Sequence, residues 1–87
     1  MNIYIDFEIT KEKEYKCRIF DDKKNFFVLS NDIRKIATYI QSLYGIRRYH
    51  GDRVYVDNRG YGIALTDCFD DIGFKYEVLE YVSTINL

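Results

Sequence analysis

The stretch Asp32-Ile33-Arg34-Lys35-Ile36-Ala37-Thr38-Tyr39-Ile40-Gln41-Ser42-Leu43-Tyr44-Gly45 decides the fold class. Ile33, Ile36, Ala37, Ile40, Leu43 and Tyr44 recur at helical spacing and lay one apolar stripe along about three and a half turns. Ser30, Asn31 and Asp32 all have the side-chain oxygen that an N-cap needs. Gly45 is placed to end the helix in a left-handed C′ conformation. Arg34, Lys35, Thr38 and Gln41 occupy the opposite, solvated side. A helix with a single apolar stripe must cover a sheet face or another helix, so the flanking segments settle the architecture.

Both flanks read as strands. Upstream, Ile3, Ile5, Phe7 and Ile9 alternate with Asn2, Tyr4, Asp6 and Glu8. Tyr15, Cys17 and Ile19 alternate with Lys16, Arg18 and Phe20, and the short link through Thr10 to Lys13 predicts an antiparallel hairpin. Asp21 to Asn25 is a charged turn, and Phe26 to Leu29 a brief third strand. Downstream, Ile46 to Tyr49 reads as a short strand and His50-Gly51-Asp52 as a turn. Val54 and Val56 then pair with an expected strand of Tyr61, Ile63 and Leu65 across an Asn58-Arg59-Gly60 turn. Thr66 is expected to cap a single helical turn over Asp67 to Ile72, closed by Gly73. Phe74 to Ile85 reads as a long last strand, with a parity switch at Val78-Leu79 that predicts a bulge or burial on both faces. The order β-β-(β)-α-β-β-(short α)-β predicts one α+β domain over residues 1–87. Its sheet is expected to be mostly antiparallel, twisted and of four to six strands, with one amphipathic helix packed on one face.

Composition narrows the class further. The chain has 87 residues, 47% hydrophobic and 31% charged, with nine Tyr, six Phe, two Cys and no Trp or Pro. That is ample apolar material to fold, and too few cysteines for a disulfide framework. No run is long and apolar enough for a transmembrane helix. Met1 to Ile9 lacks a basic leader and a continuous apolar stretch, so the cytoplasm is the expected compartment, with Cys17 and Cys68 as free structural thiols.

A net charge of -1 hides an asymmetry. Residues 1–45 hold eight Lys/Arg against seven Asp/Glu, and residues 46–66 hold Arg47, Arg48, Arg53 and Arg59 against Asp52 and Asp57. Residues 67–87 hold only Lys75 against Asp67, Asp70, Asp71, Glu77 and Glu80. The arginines of the middle block are interleaved with Tyr49, Tyr55 and Tyr61, and Arg and Tyr are favoured at binding hot spots. Two readings stay open: the block faces a partner, or it pairs with the acidic block on neighbouring strands.

No catalytic, cofactor or metal constellation emerges. His50 beside Arg47, Arg48 and Tyr49 has the residue types of a metal-independent ribonuclease, but no second base is marked and a surface-turn histidine explains it. Asp67 and Asp71 lie four residues apart and, with Asp57, could share a divalent cation, but no calcium-loop pattern is present and compensation of the helix dipole in a first turn after Thr66 explains them. Gly60-Tyr61-Gly62 lacks the further glycine and Lys-Ser/Thr of a phosphate cradle. What remains is surface recognition through outward-parity aromatics (Tyr4, Phe20, Tyr55, Tyr81) and through a last strand at a sheet edge, open to β-augmentation or homodimerisation.

The length, the strand-rich opening Asn2-Ile3-Tyr4-Ile5-Asp6, the helix Asp32 to Tyr44, the closing strands and the absence of a catalytic signature make the chain similar in profile to small inhibitors encoded by phages and mobile elements, in particular anti-CRISPR proteins. The bias to Ile, Lys, Asn, Tyr and Asp fits an AT-rich genome. The resemblance covers the whole chain as an architecture, carries no residue motif, and implies a non-enzymatic, stoichiometric inhibitor of a host protein or ribonucleoprotein complex such as a CRISPR effector. The arginine block departs from the uniformly negative DNA mimics of that group and favours steric blocking. The contact expected from the residues is Arg47, Arg48, Tyr49, Arg53, Tyr55, Arg59 and Tyr61 together with Asp67, Asp70 and Asp71. The alternatives are an RNA or single-stranded-DNA module on the Arg/Tyr strands, and a toxin-like ribonuclease using His50.

Overall fold

Asp32 caps the central helix as its chemistry dictates. Its backbone is extended, and its carboxylate Oδ1 accepts from the Arg34 and Lys35 amides at 3.0 and 3.4 Å. The computed structural model describes residues 2–45, 51–57 and 62–79. Within them the chain runs β1 (Asn2–Ile9), β2 (Tyr15–Phe20), β3 (Asn25–Ser30), α1 (Ile33–Tyr44), β4 (Arg53–Val56), α2 (Gly62–Ile72) and β5 (Glu77–Val78). The α1 stripe is buried at Ile36, Ala37, Ile40 and Tyr44. Each fully buried isoleucine there contributes about 1.5–3 kcal/mol of transfer free energy. Gly45 departs from expectation. Its φ is -57°, right-handed, and its N–H continues the helical pattern onto the Gln41 carbonyl at 2.8 Å.

The fold is α+β. Among the described residues five strands form one sheet in the order β3-β2-β1-β4-β5. β1, β2 and β3 are an antiparallel meander, as the hairpin spacing predicts. β4 and β5 instead run parallel to β1 and to each other, so the sheet is mixed rather than mostly antiparallel.

The β1–β4 pair is parallel because α1 crosses over between β3 and β4, and one local misreading accounts for the parallel β4–β5 pair. Residues 62–65 are not a strand hairpinned to β4; they open α2, an eleven-residue helix. Three alternating apolar residues (Tyr61, Ile63, Leu65) are a short signal. Leu65, Phe69 and Ile72, with Cys68 beside Phe69, follow helical spacing and bury one stripe, leaving Ile63 54% exposed. A helix between β4 and β5 returns the chain to the end from which β4 started, which makes the next strand parallel. Thr66 therefore lies inside the helix, its hydroxyl donating to the Ile63 carbonyl at 2.9 Å, and does not cap it. The sheet is covered by two helices where one was expected.

Two glycines frame α2. At Gly62 a Cβ would collide with the Asp57 backbone carbonyl, so only glycine allows the helix to start this close to the end of β4. At Gly73 φ is +73°, the left-handed C′ position. The Phe74 amide donates to the Phe69 carbonyl at 2.9 Å and the Gly73 amide to Asp70 at 3.3 Å, the bond pair of a Schellman cap. Its hydrophobic contact is present too, with the Phe69 and Phe74 rings 4.8 Å apart. Phe74 thus closes the helix rather than opening a strand. β5 is Glu77–Val78, extended by one bond from the Leu79 amide to the Val56 carbonyl at 3.0 Å. The remainder of the expected last strand, and the expected strand at Ile46 to Tyr49, lie outside the described residues.

The core lies between the helix layer and one sheet face. Ile3, Ile5 and Phe7 of β1, Cys17 and Ile19 of β2, and Val54 and Val56 of β4 meet the buried residues of α1 with Leu65, Cys68 and Phe69 of α2. Among the described residues, no helix is long and apolar enough to cross a membrane.

Candidate interaction face

The other sheet face carries no helix among the described residues, and the strand registers arrange its side chains in rows. One row crosses all five strands: Asn25, Phe20, Tyr4, Tyr55 and Glu77. The Tyr4 ring stacks on Phe20 at 5.6 Å and on Tyr55 at 5.4 Å, with interplanar angles of 23° and 17°. This changes the role expected of the outward aromatics. Phe20 is only 2% exposed and Tyr4 and Tyr55 are half-buried, because cross-strand neighbours on one face stand close enough for rings to cover one another. Tyr81 lies outside the described residues.

The next row is Phe27, Arg18 and Asp6. Arg18 Nη2 donates to Asp6 Oδ2 at 2.8 Å, and its guanidinium lies 5.3 Å from the Phe20 ring centre. Arg18 Nε is buried without a hydrogen-bond partner. Beyond it lie Leu29, Lys16 and Glu8. The Lys16 ammonium stands 3.9 Å from Glu8 and 4.8 Å from the Phe27 ring centre. On the opposite flank Arg53 Nη1 donates to Glu77 Oε1 at 2.9 Å. Each cation on the described strands of this face, Lys16, Arg18 and Arg53, therefore has a carboxylate beside it. Phe27 and Leu29 stand out against this neutral background, 56% and 47% exposed on the edge strand.

The expected contact residues are divided by the fold. Arg53 and Tyr55 belong to this face. Asp67, Asp70 and Asp71 sit on α2, in the layer on the other side of the sheet. Arg47, Arg48, Tyr49, Arg59 and Tyr61 lie outside the described residues, as does His50. The structure thus does not bring Arg53 and Tyr55 together with the three aspartates. For Arg53, pairing with the acidic block through Glu77 is the arrangement observed.

The aspartates also do not compensate a helix dipole. Because α2 begins at Gly62, Asp70 and Asp71 fall in its last turn, where negative charge opposes the dipole. Local partners offset this. Arg34 of α1 reaches Asp71 at 3.1 Å, and the Tyr76 hydroxyl donates to Asp70 at 3.0 Å. Burial pushes the Tyr76 phenol up, and its bond to Asp70 adds to the rise. Among the described residues there is no group of three or more His, Cys, Asp or Glu that could hold a metal ion.

Both cysteines are buried and free. Cys68 faces the core from α2. Burial raises both thiols; Asp6 adds to the rise at Cys17, and Arg34 opposes it at Cys68. Neither is prepared as a nucleophile.

Sequence reasoning missed Phe27 and Leu29 as surface residues, although the signal was present. In sequence Phe26 to Leu29 reads as one apolar run, whereas period two in a hairpin with β2 puts Phe27 and Leu29 on the parity of Lys16 and Arg18. No protein-family model matches the chain, and a comparison with curated proteins finds no match.

Proposed function

We propose that this chain is a small non-enzymatic protein-binding domain that inhibits its partner by occupying it stoichiometrically. The observation that carries this reading is the exposed Phe27–Leu29 pair on a face whose cations are each matched by a carboxylate. Apolar area in a charge-neutral surround favours a protein partner, for which an aromatic and aliphatic centre with a polar rim is the usual anatomy. The partner class is the one implied by the resemblance to phage-encoded inhibitors: a host defence complex such as a CRISPR effector, met in the host cytoplasm. Arg53 and Tyr55, with Arg47, Arg48, Tyr49, Arg59 and Tyr61, remain the candidates for further contact.

A nucleic-acid reading is weaker on the same observations. A stacking platform needs open ring faces and free cations along a phosphate track. Here Tyr4 and Phe20 turn their faces to each other, and Lys16, Arg18 and Arg53 lie beside acids.

The test is phage plating on a CRISPR-immune host that expresses the chain, with binding of the purified chain to the purified effector measured alongside. Wild type should restore plaques and bind the effector. A Phe27→Glu, Leu29→Glu variant with unchanged circular dichroism should do neither. Full inhibition by that variant, or a wild type that binds RNA with a steep salt dependence and no effector protein, overturns the reading.

A further inference from the structure

β3 is the outer strand of the described sheet, and its sequence Asn25-Phe26-Phe27-Val28-Leu29-Ser30 has no charge, proline or glycine. Edge strands normally carry one of the devices that prevent edge-to-edge pairing: an inward charge, a proline or a bulge. This one pairs residue for residue with β2 over its whole length, so it has no bulge. The direction of its free groups follows from the hairpin. The Asp21 amide donates to the Lys24 carbonyl at 3.0 Å, which makes 21 and 24 a hydrogen-bonded pair. Antiparallel pairs alternate, so Phe26 and Val28 bond to β2, whereas Asn25, Phe27 and Leu29 direct N–H and C=O away from it.

We infer that β3 pairs antiparallel with β3 of a second copy of this chain, about a two-fold axis at Val28, to form a continuous ten-strand sheet. The register is selected by charge. With Val28 opposite the partner's Val28, Phe27 exchanges both main-chain bonds with the partner's Leu29, and Lys24, just ahead of β3, comes toward the partner's Asp32, just past the end of its β3, on the helix side. This ion pair forms twice by symmetry. Asp32 holds the α1 cap through Oδ1, so an ammonium meets Oδ2 without breaking the cap. Centring the axis on Phe27 instead would leave Lys24 facing the partner's Ser30, with no opposite charge matched. Only the first register matches opposite charges at the ends and unites the exposed Phe27 and Leu29 of both copies in one apolar patch on the helix-free face. The inference stands on the strand edge and its charges, independently of which protein that face meets.

The experiment uses the full chain. Sedimentation of wild type should give twice the 10.5 kDa chain mass at micromolar concentration. Phe27→Lys with Leu29→Lys, both at exposed positions, sets like charges across the axis and should weaken self-association at least about tenfold. The register is read by cross-linking in a Cys17→Ala background, which removes the thiol across β2. Opposed Val28 Cα atoms would lie about 4.5 Å apart in a non-hydrogen-bonded pair, within disulfide range, so Val28→Cys should give a disulfide-linked dimer on mild oxidation, and Phe27→Cys should not. A wild type that sediments as a monomer up to 1 mM (on the order of the weakest useful association), or a dimer that cross-links at Phe27→Cys and not at Val28→Cys, overturns the inference.

Discussion

Replacing Gly73 by alanine tests the least expected part of the fold, the second helix and its closure. Gly73 holds φ +73°, and an ideal Cβ built there meets nothing within 4 Å. The substitution therefore adds no clash and removes none of the Schellman hydrogen bonds, so its cost is the backbone term alone. For an L-residue in the left-handed region that is about 1–2 kcal/mol. A chain of this size loses about 4–8 °C of Tm per kcal/mol, which puts the expected loss at about 4–16 °C. Urea unfolding followed by circular dichroism gives the free energy directly, with an unchanged m-value as the sign that neither end state has altered. Gly73→Asn should recover part of the loss, since asparagine tolerates the left-handed region better than alanine. A D-alanine installed by chemical ligation should reverse the sign, because it favours positive φ while restricting the unfolded chain. An L-alanine variant as stable as wild type, or an order in which D-alanine is the worse of the two, would refute a left-handed cap at Gly73 and with it the return of the chain that makes β5 parallel.

Lys13, at φ 62° in the β1–β2 turn, is the mirror case: Lys13→Gly should stabilise the domain by about 0.5–1 kcal/mol in urea unfolding. A double-mutant cycle of Arg18→Ala and Asp6→Ala should return a coupling of about 1 kcal/mol that shrinks with added salt, since the pair is partly buried but still screened; zero coupling would mean the 2.8 Å contact is not held in solution. The thiols set the alkaline limit. Folding raises Cys17 and Cys68 above the ordinary 9.0 and Tyr76 above 10.0, so above about pH 9 the unfolded chain gives up protons that the folded chain keeps. Stability should thus hold through pH 8 and fall as pH rises past 9, and a Cys17→Ala variant should show a shallower fall; a rise in stability over that range would contradict burial of the thiols.

Legibility followed the length of each periodic signal. α1, with six apolar residues at helical spacing and an Asp cap, was readable to within a residue. So were β1 and β2, where alternation and a short turn coincide, and β3, a brief apolar run bounded by a charged turn and the helix cap. The errors gathered at residues 61–74. Tyr61, Ile63 and Leu65 alternate just long enough to suggest a strand, while the helical stripe that overrides them begins only at Leu65 and depends on Phe69 and Ile72 finding the core. The candidate face was legible in part. Parity placed Tyr4, Phe20 and Tyr55 outward, but only the strand registers put them in one row, where they cover each other. Asp67, Asp70 and Asp71 share a segment with the arginine–tyrosine block in sequence and a different layer in space.

By itself the sequence determined the class of the fold: hydrophobic period, cap chemistry and turn length are local, and each element up to Tyr44 carries its own. The order of strands was not local. β4 lies beside β1, its residues paired 51 positions along the chain (Asn2 with Arg53), because the crossover through α1 places it there, and no alternation pattern distinguishes a parallel neighbour from an antiparallel one. The same holds for the surface. Net charge and charge blocks are properties of the chain. Which cation meets which carboxylate, and that Phe27 and Leu29 are left as the open apolar pair on the edge, were decided only when the registers brought distant strands side by side.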